Sequence, residues 1–372
     1  MSDITLSAGI RQNLLSLQNT TNDLNTTQEQ LSTGKKVNTA FDNPTSYFTS
    51  QSLTNRANDL SALLDQVGQA QQTLNAANDG LTGLTSLLEQ ALSTAQQAQQ
   101  ASNDTAGTTT GTVSLTTNTL AAGNLLIATG GTTYTVSVVA SAALSTIEAD
   151  INGTSGLGST GAVTATDDGS GHLVLTANSP STSFTASGAE QGAFGLVATA
   201  VTGTSSTRTT LQTNYNSLLT QIDQLAGDSS YNGVNLLNGN NLTVNFNENG
   251  TSSLTINGVN FNHAGLGLSV IAAGGFQTGA TITAAETAIN TAISTVRAQT
   301  ETFGTNSSTI STRQTFETNL INTLQTGASN LVLADQNQAS ANLLTEQTQQ
   351  QLEISALSIA NQANQSVLKL FG

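Results

Sequence analysis

The sequence contains few of the residues on which most enzymes rely. Among 372 residues there is no Cys and no Trp, aromatic residues make up 4%, and charged residues make up 8%. The absence of Cys excludes disulfides, thiol catalysis and thiolate metal sites. Enzyme cores usually contain aromatic and large aliphatic side chains, which are scarce here. This chain is therefore expected to bury many small side chains in thin layers between closely packed elements.

Positive charge is also scarce. Eight Lys and Arg stand against 23 Asp and Glu, which gives a formal net charge of −15. Nucleic acids and anionic membrane surfaces are bound by clustered cations, so we expect neither as a partner. The N-terminus lacks the basic start and apolar run of a cleaved signal peptide, and no stretch approaches the roughly 18 apolar residues of a membrane span.

Motifs that would indicate catalysis or a cofactor are absent from the sequence. There is no HExxH motif, and His172 and His263 are assigned to a turn and a loop. Asp167-Asp168-Gly169 lacks the spaced ligands and the closing Glu of a calcium loop, and we interpret it as a hairpin turn. We therefore predict a protein that is not an enzyme and that has no cofactor and no metal.

The N-terminal region has a seven-residue apolar repeat, which is typical of a helix packed along one face. Ile10, Leu17, Leu24 and Leu31 are seven residues apart, and Leu14 fills an intermediate position. A helix so short of large apolar residues would be marginal alone. We therefore predict that these five residues form an N-terminal assembly seam against copies of the chain.

A longer helix is predicted over about 44–101. Its two apolar lines, offset by three or four residues, are Leu53, Leu60, Val67, Leu74, Leu81 and Leu88, and Leu63, Ala70, Ala77, Leu84, Ala91 and Ala98. Such a helix would be on the order of 85 Å long at 1.5 Å per residue. It needs a partner along its seam, and we expect 282–324 of the same chain to supply it.

Helical spacing of apolar residues returns in the C-terminal third. A first line comprises Ile282, Ala285, Ile289, Ala292 and Val296, and it continues through Phe303, Ile310, Leu324 and Leu331 with Glu317 as an interruption. The predicted C-terminal assembly seam comprises Leu352, Ile359, Ala363, Val367, Leu370 and Phe371.

The middle of the chain has a different character. Residues 105–204 contain 15 of the 33 Gly and show two pairs of strand-like runs with a short helix between them. We interpret 105–204 as a small α+β domain inserted into a helical bundle. A shorter helix over 207–226 and a β-hairpin with its turn near 248–252 follow it.

The stretch LSTGKKVNTAFDNP (31–44) separates the first two helices. Gly34 is expected to end the first helix, and Lys35 and Lys36 follow where cations favour a helix C-terminus. Asp42 or Asn43 can cap the next helix, with Pro44 in its first turn. The phosphate-loop pattern fails here because Glu29 and Lys36 occupy its required Gly and Ser/Thr positions. We predict that the stretch is a joint, and that its lysines pair with acidic groups of a neighbouring copy.

Three motifs, in order, resemble those of bacterial flagellin. They are LSTGKKVNTAFDN (31–43), YNGVNLLNG (231–239) and the C-terminal ALSIANQANQSVLKLFG (356–372). Near residue 90 the family's usual motif carries Arg, Arg and Glu and serves filament contacts and recognition by a vertebrate innate receptor. Gln90, Leu92 and Ser93 stand there instead, which resembles the α-proteobacterial type and puts receptor recognition in doubt.

The resemblance implies a mainly α fold with a β insert: a long antiparallel coiled-coil bundle of the N- and C-terminal regions, a β-hairpin and the inserted α+β domain. It implies an inner tube from 1–40 and 331–372, a helical shell from 41–104 and 205–330, and an exposed variable domain over 105–204. The variable domain precedes the 207–226 helix, whereas in enteric flagellins it follows the hairpin.

The function implied is that of a secreted, extracellular structural subunit that polymerises into the flagellar filament for swimming motility. The implied partners are copies of itself, an export chaperone, the flagellar type III export apparatus, and hook-associated junction and cap proteins. The main alternative is a hook–filament junction protein, which shares the same ends. Two further alternatives are a flagellin with an enzymatic insert, which the missing catalytic motifs disfavour, and an unrelated secreted helical adhesin, which would not explain three ordered motifs.

Overall fold

A computed structural model describes residues 8–116, 120–158 and 161–371, without the side chains of residue 364 and residues 367–371. The chain divides into two compact units. Unit 1 contains the residues up to Gln71, the segment Thr243–Thr255 and the residues from Ser307 onward; unit 2 contains Gln72–Leu242 and Ile256–Asn306.

Most of the described chain is helical. In chain order the helices are α1 (Ala8–Thr33), α2 (Pro44–Gln100), α3 (Leu144–Gly153), α4 (Ala189–Phe194), α5 (Ser206–Asp228), α6 (Gly279–Val332) and α7 (Gln336–Phe371). The strands are β1 (Thr108–Thr110), β2 (Gly123–Thr129), β3 (Thr132–Val138), β4 (Val163–Asp167), β5 (Leu173–Ala177), β6 (Phe184–Ser187), β7 (Leu242–Asn245) and β8 (Ser253–Ile256). A 3₁₀ turn covers Gly275–Gln277.

In unit 1 the first part of α2 runs antiparallel to the last part of α6. Ser50 Oγ donates to the Ala328 carbonyl at 2.9 Å, and Gln71 Nε2 donates to Ser307 Oγ at 2.7 Å. The seam is apolar: Ala57, Leu60, Leu63, Ile321 and Leu324 form a buried cluster with Leu53, Leu64 and Leu320 around it. Antiparallel packing of the N- and C-terminal regions, predicted from the two heptad lines, is confirmed here.

Unit 2 contains the second part of α2 and the first part of α6, whose predicted apolar lines are buried from Leu74 to Ala98 and from Ile282 to Phe303. α5 packs in the same unit. Asn235, in the YNGVNLLNG stretch, donates from Nδ2 to the Ala226 and Gly227 carbonyls at 2.8 Å. These bonds satisfy carbonyls at the end of α5 that have no partner within the helix.

The inserted segment has a core of its own, built from two three-stranded antiparallel sheets. Their strand orders are β3-β2-β6 and β1-β5-β4. The core includes Leu125, Ile127, Leu173, Leu175 and Phe194, each fully buried. Both predicted hairpins and the helix between them are confirmed. β1, β6 and α4 were not predicted because each is short and the two strands pair only with residues distant in sequence.

Candidate assembly surface

The two terminal helices pair with each other inside unit 1. Ile10 and Leu24 on α1 are buried, and so are Thr20 and Thr27 of the same face. From Leu17 onward, leucine and threonine alternate along this stripe at spacings of three and four, as Leu17, Thr20, Leu24 and Thr27, so only part of the seam is apolar.

The polar side chains of this seam donate hydrogen bonds to glutamates of α7. Glu353 Oε1 accepts from Ser16 Oγ at 2.7 Å and from Thr20 Oγ1 at 3.0 Å. One heptad earlier on α7, Glu346 Oε1 accepts from Thr27 Oγ1 at 3.1 Å. Each such bond contributes only about 0.5–1.5 kcal/mol net, and more where the acceptor is ionised. Polar contacts therefore help to hold the pair in register, beside Leu343 and Leu357 of α7, which are half-buried.

Large apolar side chains lie on the outside of the same helix pair. On α7, Leu344 is 68% exposed, Leu352 65% and Ile359 67%. On α1, Leu14 and Leu15 are exposed at 42% and 56%. We call these residues, together with Ile354 (52% exposed), the outer apolar face. At about 100° per residue, Leu344, Leu352 and Ile359 lie within about 80° of one another and form one row on α7. Such a row is unusual on a soluble monomer and is typical of a surface that another chain covers.

The structure divides the predicted assembly seams between these two surfaces. Ile10 and Leu24 are buried and Leu17 and Leu31 half-buried within one chain, whereas Leu14 is exposed. Leu352, Ile359 and Ala363 are all exposed. The side chains of Val367, Leu370 and Phe371 lie outside the described residues. The assembly role of both seams stays a prediction.

Sequence reasoning missed Leu15, Leu344 and Ile354. These three residues lie off the apolar lines predicted for the two terminal helices. A signal was present: α7 carries more apolar residues than one seam accommodates.

The joint between α1 and α2 is tied to the connection between α6 and α7. Gly34 adopts φ +69°, the left-handed conformation that ends a helix, and its amide donates to the Gln30 carbonyl at 2.8 Å. The Lys36 amide donates to the Val332 carbonyl at 2.7 Å, and the Ala334 amide donates to the Gly34 carbonyl at 3.0 Å. The two connections therefore hold each other by backbone hydrogen bonds.

Asp42 and Asn43 have separate roles in this joint. Asn43 Oδ1 accepts from the Ser46 amide at 3.0 Å, so Asn43 caps α2 ahead of Pro44. Asp42 Oδ2 accepts from the Asn38 and Thr39 amides at 2.8 Å each. The bonds from Thr39 and Asn38 lower the pKa of Asp42, so its carboxylate is an ordering element of the loop.

Lys35 and Lys36 are exposed, and within the described part of one chain neither side chain forms an ion pair. The three altered receptor-motif positions lie on α2, where Gln90 and Ser93 are exposed and Leu92 is half-buried.

Two further kinds of site, a metal centre and a membrane span, are absent from the described residues. They contain no group of three or more His, Asp or Glu arranged to hold a metal ion. No helix among them is long and apolar enough to cross a membrane. His172 lies beside Asp168 with Nδ1 and Oδ2 2.7 Å apart, and His263 lies beside Asp223 at 2.8 Å.

Comparison with known proteins gives two family matches at the two ends of the chain. The bacterial flagellin N-terminal helical region matches residues 8–119, and the C-terminal helical region matches residues 286–371. Together these matches cover more than half of the chain.

Three flagellins of Caulobacter vibrioides are similar in sequence. FljK and FljM are each 29% identical over 162 residues, which is 43% of this chain and 59% of the relative. FljO is 30% identical over 93 residues, 24% of this chain and 34% of the relative. The chain thus spans about three fifths of the length of the first two relatives. These relatives support the α-proteobacterial type, and the ordered motifs, the paired terminal helices and both family matches agree that the chain belongs to the bacterial flagellin family.

Proposed function

We propose that this flagellin is a structural subunit of the extracellular flagellar filament, and that it polymerises by burying the outer apolar face between copies. The observation that carries the proposal is the exposure of Leu344, Leu352 and Ile359 on α7, while Glu346 and Glu353 of the same helix bond to α1. Each of these side chains would leave water only on contact with another chain, and burial of apolar area is the main driving force of association.

The polar seam supports the same proposal. The Glu353 and Glu346 bonds to α1 hold the two helices in register but bury little apolar surface. Packing against copies would add the burial of the exposed apolar residues. We therefore assign 1–40 and 331–372 to an inner tube, 41–104 and 205–330 to a shell, and 105–204 to the outer surface of the filament.

An insert at the surface needs both of its connections close together. The Thr105 amide donates to the Thr204 carbonyl at 3.0 Å, and the Thr204 amide donates back at 2.9 Å. The segment 105–204 therefore leaves and re-enters the helical part at one place. Such a segment can vary or be removed with little effect on the helices that it joins.

The further partners follow from this role. We propose that the chain is delivered by a flagellar export chaperone and the type III export apparatus, and that its filament meets hook-associated junction and cap proteins. A junction protein is the second candidate for the chain itself. The curated relatives are named flagellins, which favours the filament subunit.

Electron microscopy of the polymerised chain tests the proposal. Purified full-length chain, induced with ammonium sulfate, is expected to give long filaments, since excluded salts strengthen apolar burial. A chain without residues 362–372 is expected to stay monomeric, because the last turns of α7 are lost. Short rings from the full-length chain would favour a junction protein, and normal filaments from the truncated chain would refute the inner-tube assignment.

A further inference from the structure

The carboxyl group of Glu317 is buried in the seam between α2 and α6. The side chain takes the heptad position between Ile310 and Leu324, and the residue is 1% exposed. Neither of its carboxylate oxygens has a hydrogen-bond partner among the described residues. A buried charge without a partner is strongly unfavourable, so this side chain favours its neutral form.

The surroundings of Glu317 are apolar on the side of α2. The antiparallel register set by the Ser50–Ala328 and Gln71–Ser307 bonds places Glu317 opposite the turn that contains Leu60 and Leu63. Both leucines are buried. Burial accordingly raises the pKa of Glu317.

Arg313 is the charged group that opposes this effect. It lies one turn earlier on α6 and lowers the pKa of Glu317, although the effect of burial is larger. The charged residues of the facing stretch of α2 are Arg56, Asp59 and Asp65. Arg56 pairs with Glu248, and both aspartates are exposed.

Arg313 is engaged elsewhere, on the β7–β8 hairpin. Its guanidinium carbon lies 5.3 Å from the centre of the Phe246 ring, a cation–π contact. Arg56 of α2 holds the same hairpin through Glu248, with Nε and Oε1 2.9 Å apart. The hairpin is therefore attached to α6 by Arg313 and to α2 by Arg56.

We propose that Glu317 is a proton-linked switch that controls the attachment of the hairpin to α6. When protonated, the carboxylic acid stays in the seam and Arg313 remains on Phe246. When the proton is lost to solvent, the carboxylate moves out of the seam to Arg313, its neighbour at i−4, and draws the guanidinium from the ring. The Arg56–Glu248 attachment stays in place, so the hairpin loosens from one helix only.

The sign of the pH effect follows from the raised pKa. The folded chain holds this proton to higher pH than the unfolded chain does, where the ordinary value is 4.5. The contribution of Glu317 to folding stability is therefore lost as pH rises from that value to the folded pKa, and at higher pH this contribution no longer changes. Over that interval Glu317 changes the unfolding equilibrium by up to about tenfold for each pH unit. The inference concerns the single subunit and does not depend on polymerisation.

A tryptophan reporter tests the switch, because the chain has no Trp of its own. Phe246→Trp in the full-length monomer places the indole under Arg313. Its emission is expected to shift with a midpoint above pH 4.5. The shift is expected to vanish when Glu317→Gln is added, and to persist with Asp59→Asn, which removes an exposed carboxylate from α2. A shift that persists with Glu317→Gln, or no shift between about pH 4.5 and 9, would overturn the proposal.

A second measurement avoids any disturbance by the larger indole. Denaturant unfolding of the Glu317→Leu chain is compared with that of the unmodified chain across the same pH range. The unfolding constant of the unmodified chain, divided by that of the Glu317→Leu chain, is expected to rise by up to about tenfold per pH unit and then level off. A ratio that does not change with pH would contradict the switch.

Discussion

Replacing Leu344, Leu352 and Ile359 together by Gln tests whether the outer apolar face drives polymerisation. These side chains are 65–68% exposed in the subunit, so about two thirds of each remains to be buried. Full burial of such a side chain contributes about 1.5–3 kcal/mol, which leaves about 1–2 kcal/mol for each here. The triple variant is thus expected to lose about 3–6 kcal/mol of association free energy, or roughly 10²–10⁴-fold in affinity.

The assay is the concentration of chain that stays soluble when seeded polymerisation has reached steady state. That critical concentration is expected to rise by the same factor. Circular dichroism of the monomer is expected to be unchanged, because the three positions are exposed and Gln is a good helix former. The matched control replaces Gln347, Gln351 and Ser358, exposed polar residues of α7, by Ala. A critical concentration of the Gln variant within about twofold of the unmodified chain would refute the reasoning.

Three further predictions concern single residues and the insert. Gly80→Val is expected to destabilise unit 2 by about 1–3 kcal/mol in denaturant unfolding, because an added Cβ would meet Leu237 Cδ1 at 2.7 Å. Gly304→Ala is the control and is expected to stabilise the chain slightly, because an added Cβ there would meet nothing within 4 Å. Equal effects of the two substitutions on the free energy of unfolding would contradict the packing argument. Asp42→Asn is expected to speed proteolysis in the joint at neutral pH, because the neutral amide is a weaker acceptor than the carboxylate. At a pH below the lowered pKa of Asp42 the difference in rate should shrink, since Asp42 is then also neutral. Equal rates at neutral pH would contradict the role of the Asp42 charge. A chain lacking 105–204 is expected to form filaments under the microscope, and a folded deletion that fails to polymerise would show that the insert makes essential contacts between subunits.

Long periodic helices were predictable from the sequence to within a residue or two. The helix predicted over about 44–101 is α2, Pro44–Gln100, and the helix predicted over 207–226 is α5, Ser206–Asp228. Many turns of consistent apolar spacing outweigh the weak propensity of any one residue. A Gly-Gly pair between two strand-like runs favours a tight turn, and Gly130 and Gly131 both have positive φ between β2 and β3.

Short elements were not predictable, because their stability comes from contacts distant in sequence. β1 consists of three threonines that pair with β5, and β6 is held in its sheet by pairing with β2. The sequence alone also does not separate the roles of Asp42 and Asn43 in the joint. Both side chains can cap a helix, and only the direction of the backbone decides which one reaches the amide of Ser46.

The terminal helices show why an apolar repeat identifies a seam but not its partner. On α1 the line from Ile10 to Leu24 faces α7 of the same chain, while on α7 the line through Leu352 and Ile359 faces outward. The α7 residues that bond to α1 are Glu346 and Glu353, and Leu343 and Leu357 of the same helix are half-buried. A monomer stabilised only by its own contacts would bury Leu352 and Ile359 as well. The net charge of −15 opposes non-specific association of subunits that expose these residues. Their exposure is therefore a cost to the monomer that ordered packing in a filament offsets.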